Sequence, residues 1–391
     1  MLAAERIAGC NACRHRAPNQ MPSAHSTEVK YALRVHALPL PLPLMSSPTD
    51  PVSLLPESAV ATAARHLQDV LTLAIETTPA QSAIVVFDTA CQLAVALTEA
   101  YRRCLPAAHF IDFDAVSPAA IQAQFALLAA GDLVVLIQST NFRLDAYRIR
   151  VELFKRALKV IEHPHLARMP GAQSLHYIAA LAYDAAYYRG TGRALQARID
   201  NANSAVVDSD GAQLIFDGPL ESAKVNIGDY AGMTNVGGQF PIGEVFTEAR
   251  DLESVNGRVR IFVFGDTNFA VNQPAQPITL VITKGRVSAV IDSTPEFDQV
   301  LDNIRADEGE VWLRELGFGM NRAFNRDCTV SDIGTFERMC GIHLSLGAKH
   351  GVYAKPGFKR GVVRHHVDVF AITHSVQLGG EEVYRDGRWV V

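Results

Sequence analysis

The chain has 391 residues, a formal net charge of -5, 48% hydrophobic residues and 20% charged residues. That length fits two to three domains with full cores; the slightly acidic balance speaks against a nucleic-acid partner, and no run of about 18 apolar residues offers a membrane-spanning helix. The cysteines (Cys10, Cys13, Cys91, Cys104, Cys328 and Cys340) are too sparse for a disulfide scaffold and fit a reducing compartment, so a cytoplasmic location is expected.

Residues 1–52 read as a non-globular leader, with Pro18, Pro22, Pro39, Pro41, Pro43, Pro48 and Pro51 and little helical or strand period. Cys10 and Cys13 have the spacing of half a zinc site, but a second pair at suitable spacing is missing. Arg14, His15, Arg16 and Lys30 mimic a transit peptide, and a start of translation at Met21 or Met45 is the preferred reading. No clear secretory signal is present, because three prolines break the apolar stretch from Ala37 to Met45.

From Glu57 the pattern alternates between helix and strand. Val60, Ala64, Leu67, Val70, Leu71 and Ala74 recur at helical spacing. Short apolar runs at 83–87, 109–113 and 133–137 predict buried strands, separated by helices over about 90–104 and from Ser117-Pro118 to Gly131. This order implies a doubly wound parallel sheet over 53–200. Phe87-Asp88-Thr89-Ala90 stands where a dinucleotide site would have glycines, so no nucleotide is expected there. Helices are predicted over about 144–161 and 172–199. His163-Pro164-His165 then reads as a loop.

Residues 201–391 change to strands and tight turns, giving a β-rich α+β domain. Asp210-Gly211, Asn256-Gly257 and Lys284-Gly285 read as hairpin turns, and Thr294-Pro295 starts a helix over about 295–305. The glycine-rich stretch around Asn235, Gly237 and Gly238 reads as a loop near the site.

The chemistry concentrates near the C-terminus, where His343, His350, His365, His366 and His374 cluster. In a strand, His366 and Asp368 share a face, so an imidazole and a carboxylate converge as metal ligands do. His343 and Ser345 share the face opposite Ile342, Leu344 and Leu346. Glu315 and Glu244 each sit in apolar, glycine-containing surroundings, where a carboxylate is costly unless paired or ligated. Three carboxylates balance two divalent ions and a bridging hydroxide better than one ion, and a two-metal site suits hydrolysis.

Four segments carry a family resemblance: Gly243-Glu244-Val245-Phe246, Glu315-Leu316-Gly317-Phe318-Gly319-Met320-Asn321, Gly341-Ile342-His343-Leu344-Ser345-Leu346-Gly347 and His366-Val367-Asp368. Their order is similar to that in the metal-dependent aminopeptidases of the aminopeptidase T and aminopeptidase S family. The resemblance covers the C-terminal half by motif and the N-terminal half by architecture. It implies an α/β domain followed by a β-rich domain with two metal ions (zinc, cobalt or manganese), a peptide or other small-molecule substrate, and a homodimer. Glu244, Glu315, His343, His366 and Asp368 would be the metal ligands.

One position departs from that pattern. The family has a tyrosine seven residues after the ligand histidine, and here that position is His350, with Tyr353 three residues further on. His350 is a candidate donor to a developing oxyanion or a further ligand, and Tyr353 a candidate substitute for the family tyrosine. A related branch, the 2,5-dihydroxypyridine 5,6-dioxygenases, holds one ferrous ion through two His and one Asp. His343, His366 and Asp368 would satisfy such a site. Loss of the chemistry on a retained scaffold is the third reading. Arg322, Arg326, Lys355, Lys359, Arg360 and Arg364 flank the motifs as candidate substrate or charge-balancing groups.

Overall fold

The computed structural model describes residues 54–267, 270–358 and 363–391. The leader, with Cys10, Cys13, Met21 and Met45, and also Lys359 and Arg360, lie outside the described residues.

The first layer is a five-stranded parallel sheet in the spatial order His109–Asp112, Ala83–Phe87, Leu133–Ile137, Lys159–His163, Val236–Gln239. Alternate residues of its strands feed different cores, as the two-residue period of a strand requires. Ile84, Val86, Val134, Leu136 and Val160 pack with Ile121, Phe125 and Leu153 on one side. Val85, Leu133, Val135, Ile137 and Ile161 pack with the Glu57–Asp69, Gln92–Cys104 and Ala172–Ala180 helices on the other. Both faces are therefore covered, which is the doubly wound arrangement expected. Ser117 caps the Pro118–Ala126 helix by accepting from the Ala120 N–H at 3.3 Å.

Three expectations fail in instructive ways. The helix predicted over 144–161 covers only Ile149–Lys155; Ala157 turns the chain at φ 55, and Lys159–His163 becomes the fourth parallel strand. His163 therefore ends a strand, and the two-residue period of this short run was hidden behind the preceding helical spacing. The glycine-rich stretch is not a loop either: Val236–Gln239 pairs in parallel with Lys159–Glu162 and completes the first sheet from beyond residue 200. Asn256-Gly257 makes no turn but lies within the long strand Val255–Gly265, paired with Ala212–Phe216 on one side and Ile278–Thr283 on the other. The other two turns form as read, with both central residues at positive φ.

The second layer is a fourteen-stranded, antiparallel sheet among the described residues. One half of it runs Val255–Gly265, Val367–Ala371, Gly341–Leu346, Leu313–Gly319, Glu244–Glu248 and, at the edge, Lys224–Asn226 in space. The Pro295–Glu308 helix starts at Thr294, which caps the Phe297 N–H at 3.3 Å, and buries Phe297, Val300, Leu301 and Ile304. No described helix is long and apolar enough to cross a membrane.

Candidate metal centre

Four neighbouring strands deliver one acidic or imidazole side chain each to a common face. Glu244 lies opposite Gly319, His343 opposite Gly317, and Asp368 opposite Ser345. Glu315, Gly317 and Gly319 alternate along their strand, so all these positions share one side of the sheet. Two glycines make room for this. A Cβ on Gly317 would stand 2.0 Å from the His343 ring, and one on Gly319 would stand 1.9 Å from the Met339 carbonyl oxygen. The first opening seats the imidazole between the two glutamates. The second admits the segment carrying Glu337 and Arg338.

The donor atoms fall into two groups around Glu315. In the first, His343 Nε2 lies 3.2 Å from Glu244 Oε1 and 3.2 Å from Glu315 Oε1, and the ligating atoms of these three residues all lie within 4.8 Å of one another. In the second, His366 Nε2 lies 3.1 Å from Asp368 Oδ1 and 4.0 Å from Glu315 Oε2. One ring nitrogen carries at most one proton, so His343 cannot satisfy both glutamates by hydrogen bonding alone. Asp368 Oδ1 is buried without a hydrogen-bond partner. His366 Nδ1 lies 3.1 Å from the Lys349 carbonyl oxygen. That contact places the neutral ring's proton on Nδ1 and leaves the Nε2 lone pair facing the cluster, as a metal-ligating histidine requires. Glu244, Glu315 and His343 together could hold a metal ion.

The electrostatics of the metal-free cluster point the same way. Burial opposes charge on His343, yet Glu244 and Glu315 hold its pKa well above the ordinary value. Burial also opposes charge on His366, and Asp368 followed by Glu315 and Glu337 still pushes it up to about 10. Burial would raise Glu315, but His343, His350 and His366 hold it well below the usual carboxylate range. Protons on the imidazoles thus balance acids that a metal would otherwise neutralise.

Several supporting groups escaped the sequence reading. Glu337 is held well above the usual carboxylate range by burial and then by Asp368, while its neighbour Arg338 works in the opposite direction. Arg338 pairs with Glu337 and reaches Glu244 at 3.6 Å, so this buried guanidinium joins the acids around the cluster. Arg314 is fully buried against Glu248, at 2.8 and 3.1 Å, and donates to the carbonyl oxygens of Ala348 at 2.5 Å and Tyr353 at 3.0 Å. Glu308 accepts from the backbone N–H groups of Ala348 at 2.7 Å, Arg364 at 2.6 Å and His365 at 2.8 Å. One carboxylate therefore ties together the two chain segments that carry His350 and His366. Arg314 beside Glu315 in an apolar strand, and the adjacent opposite charges of Glu337-Arg338, were the signals available in sequence.

The remaining candidates divide clearly. His350 joins the cluster, with Nε2 2.9 Å from Glu315 Oε2. Tyr353 does not supply a free phenol: its hydroxyl contacts the carbonyl oxygens of Ser222 at 2.7 Å and Phe246 at 3.2 Å, and its ring packs on His350 with centroids 5.0 Å apart. Its hydroxyl is committed to the backbone, and its ring lies beside His350. His365 pairs with Asp307, and His374 stands near Asp210 and Asp386 on the surface. Lys355 is committed to Glu221, Glu248 and two backbone carbonyls. Arg322 stacks over Tyr187, Arg326 stands over Phe262, and Arg364 pairs with Asp307. A cleft of about 310 Å³ lined by Thr267, Lys349, Gly351, Arg364 and His366 opens beside the cluster.

Comparison with known proteins places the architecture without naming the chemistry. No family profile and no curated protein matches this sequence. Among solved structures, 2,5-dihydroxypyridine dioxygenase from Pseudomonas putida KT2440 is similar at a TM-score of 0.56 and 17% identity, over 87% of this chain and 98% of that one. Wild-type AmpT from Thermus thermophilus is similar at a TM-score of 0.51 and 15% identity, over 85% of this chain and 99% of that one. These likenesses define the fold class: a parallel α/β layer joined to a large antiparallel sheet that carries a possible metal-binding group.

Proposed function

We propose that this chain is a metal-dependent hydrolase of the aminopeptidase type, holding two divalent ions and cleaving N-terminal residues from peptides. One observation carries the reading: Glu315 lies between two donor groups, with Oε1 3.2 Å from His343, which also meets Glu244, and Oε2 2.9 Å from His350 and 4.0 Å from His366, which pairs with Asp368. A carboxylate so placed suits a bridging ligand. Metal ions held there would supply Lewis acidity at a carbonyl and a nucleophilic water at neutral pH. The chain's own part is to fix the donors. Lys349 orients His366 through its carbonyl, Ser345 accepts from the Glu315 N–H at 3.0 Å, and Arg338 holds Glu244. The order of the four motifs, which resembles that of the metal-dependent aminopeptidases, supports the peptide substrate, and the likeness to AmpT is one of fold. A homodimer belongs to the same proposal.

A second reading has its own support. The dioxygenase likeness, with His343, His366 and Asp368 in one cluster, is compatible with one ferrous ion and cleavage of a hydroxylated aromatic ring. The test is metal content per chain by elemental analysis of protein purified anaerobically without chelator, followed by turnover of aminoacyl substrates. About two zinc, cobalt or manganese ions and turnover that Glu315→Ala abolishes are expected. About one iron per chain, with iron-dependent oxygen consumption, would transfer the assignment to the dioxygenase. No metal uptake on titration would overturn both readings and leave a non-catalytic homologue.

A further inference from the structure

We propose that the cleft beside the cluster receives the C-terminal carboxylate of the substrate between Lys349 and Arg364, which makes the substrate a short peptide with a free C-terminus; this rests on the hydrolase reading. The cleft and the cluster meet at His366, which lines the cleft and whose Nε2 lies 3.1 Å from Asp368 Oδ1. Their charges are opposite. The cluster gathers Glu244, Glu315 and Asp368, whereas Lys349 and Arg364 line the cleft. A short peptide also carries opposite charges at its two ends, an amine at one and a carboxylate at the other. It matches both regions in one orientation only, with the amine end at the acids.

Neither cation is used up by the protein. The Lys349 ammonium makes no ion pair or hydrogen bond among the described residues, although its backbone is fixed on both sides. Its N–H donates to the His365 carbonyl oxygen at 3.0 Å, and its own carbonyl oxygen meets His366 Nδ1 at 3.1 Å. Arg364 is anchored through its backbone N–H on Glu308 at 2.6 Å. Its guanidinium contacts Asp307 Oδ1 at 3.2 Å, and the side chain is 65% exposed. Asp307 is shared with His365 at 2.8 Å, so further N–H groups of the Arg364 fork stay open to a ligand. Asp266 also lines the cleft, and the Ala270 N–H occupies its Oδ1 at 2.8 Å. The cleft volume of about 310 Å³ is at the small end for ligand pockets. Length is then selected by charge. In a longer peptide the carboxylate falls beyond the two cations, and an uncharged amide takes its place there.

The experiment uses the full chain loaded with zinc, with Leu-Gly, Leu-Gly-Gly and Leu-Gly-Gly-Gly-Gly as substrates, each as the free acid and as the C-terminal amide. For the di- or tripeptide, KM of the acid should lie about three- to tenfold below that of its amide at low salt, and the preference should vanish in the pentapeptide. Both side chains are exposed, so their replacement spares the core. Lys349→Met and Arg364→Met should each narrow the acid-to-amide ratio, and the double variant should bring it to about one. Added salt should narrow it in the wild type. Equal KM for acid and amide in the wild type, or a preference that survives the double variant, overturns the proposal. Calorimetry reads the same ratio without turnover, using the Leu-Gly analogue with a methylene-amine in place of the scissile amide, again as acid and amide. Equal binding of the two, or none, overturns the proposal. If the wild type turns over no peptide, the hydrolase reading fails by itself, while the calorimetric ratio still decides whether the cleft holds a carboxylate.

Discussion

Two buried histidine sites in this molecule look alike by burial and differ in how their polar atoms are satisfied. His163, at the end of its parallel strand, sits between two tyrosine hydroxyls, with Nε2 2.8 Å from Tyr101 and Nδ1 2.8 Å from Tyr177. Tyr177 in turn donates to the Phe240 carbonyl oxygen at 2.9 Å. The chain therefore runs one way: Tyr101 donates to His163, His163 to Tyr177, and Tyr177 to the backbone. Burial pushes His163 down to about 3, so it stays neutral. In the antiparallel layer, by contrast, one nitrogen of His343 faces two carboxylates, His350 Nε2 stands 2.9 Å from Glu315 and His366 Nε2 stands 3.1 Å from Asp368. A buried histidine with every polar atom paired is a structural element. One whose neighbours compete for a single proton belongs to a group that could hold a metal ion.

The sharpest way to break that contrast is metal addition to the stripped protein. Divalent metal at about 100 times its dissociation constant should raise the unfolding free energy by about 2.7 kcal/mol, read as a shifted urea midpoint. Glu315→Ala should show no shift, and Tyr101→Phe should show the full one. A shift that survives Glu315→Ala would move the ion elsewhere.

The two sites should also give opposite pH limbs in the metal-free chain. His163 has a folded value of about 3 against about 6.5 unfolded, so its contribution is present above pH 6.5 and is lost as pH falls toward 3. The loss reaches about 2 kcal/mol at pH 5. His366 has a folded value of about 10, so its contribution is present below pH 6.5 and is lost as pH rises toward 10, by about 2 kcal/mol at pH 8. His343 adds to the same alkaline limb. Urea unfolding between pH 5 and 8 reads both limbs. His163→Phe should flatten only the acid side, and His366→Asn only the alkaline side.

The smallest effect sharpens the structural half. Tyr101→Phe leaves His163 Nε2 buried without its donor and should cost about 1–2 kcal/mol by denaturant unfolding. Metal content should not change. A Tyr101→Phe protein of unaltered stability would mean that the hydrogen-bond chain contributes nothing.

Much of this was legible because it is local. The strand at 83–87, the Ser117 and Thr294 caps and the Asp210-Gly211 turn are written in short-range spacing and turn chemistry. Glu244, Glu315, His343, His366 and Asp368 stood out because acids and imidazoles are conspicuous among apolar strand residues. The strands at 159–163 and 236–239 did not, since a five-residue strand after a helix and a glycine-rich strand both lack a distinguishing period. Tyr353 was a candidate by proximity in sequence, and only the positions of Ser222 and Phe246 committed its hydroxyl.

The sequence by itself determined which residues are too polar for their surroundings and which face of each strand they share, because alternation depends only on the chain's own covalent geometry. Tertiary structure decided the rest. Strand register set Gly317 under His343 and Gly319 under Met339. Long-range contacts brought Glu308, Arg314 and Arg338 to the cluster. Those contacts join segments far apart in the chain, so no local spacing announces them.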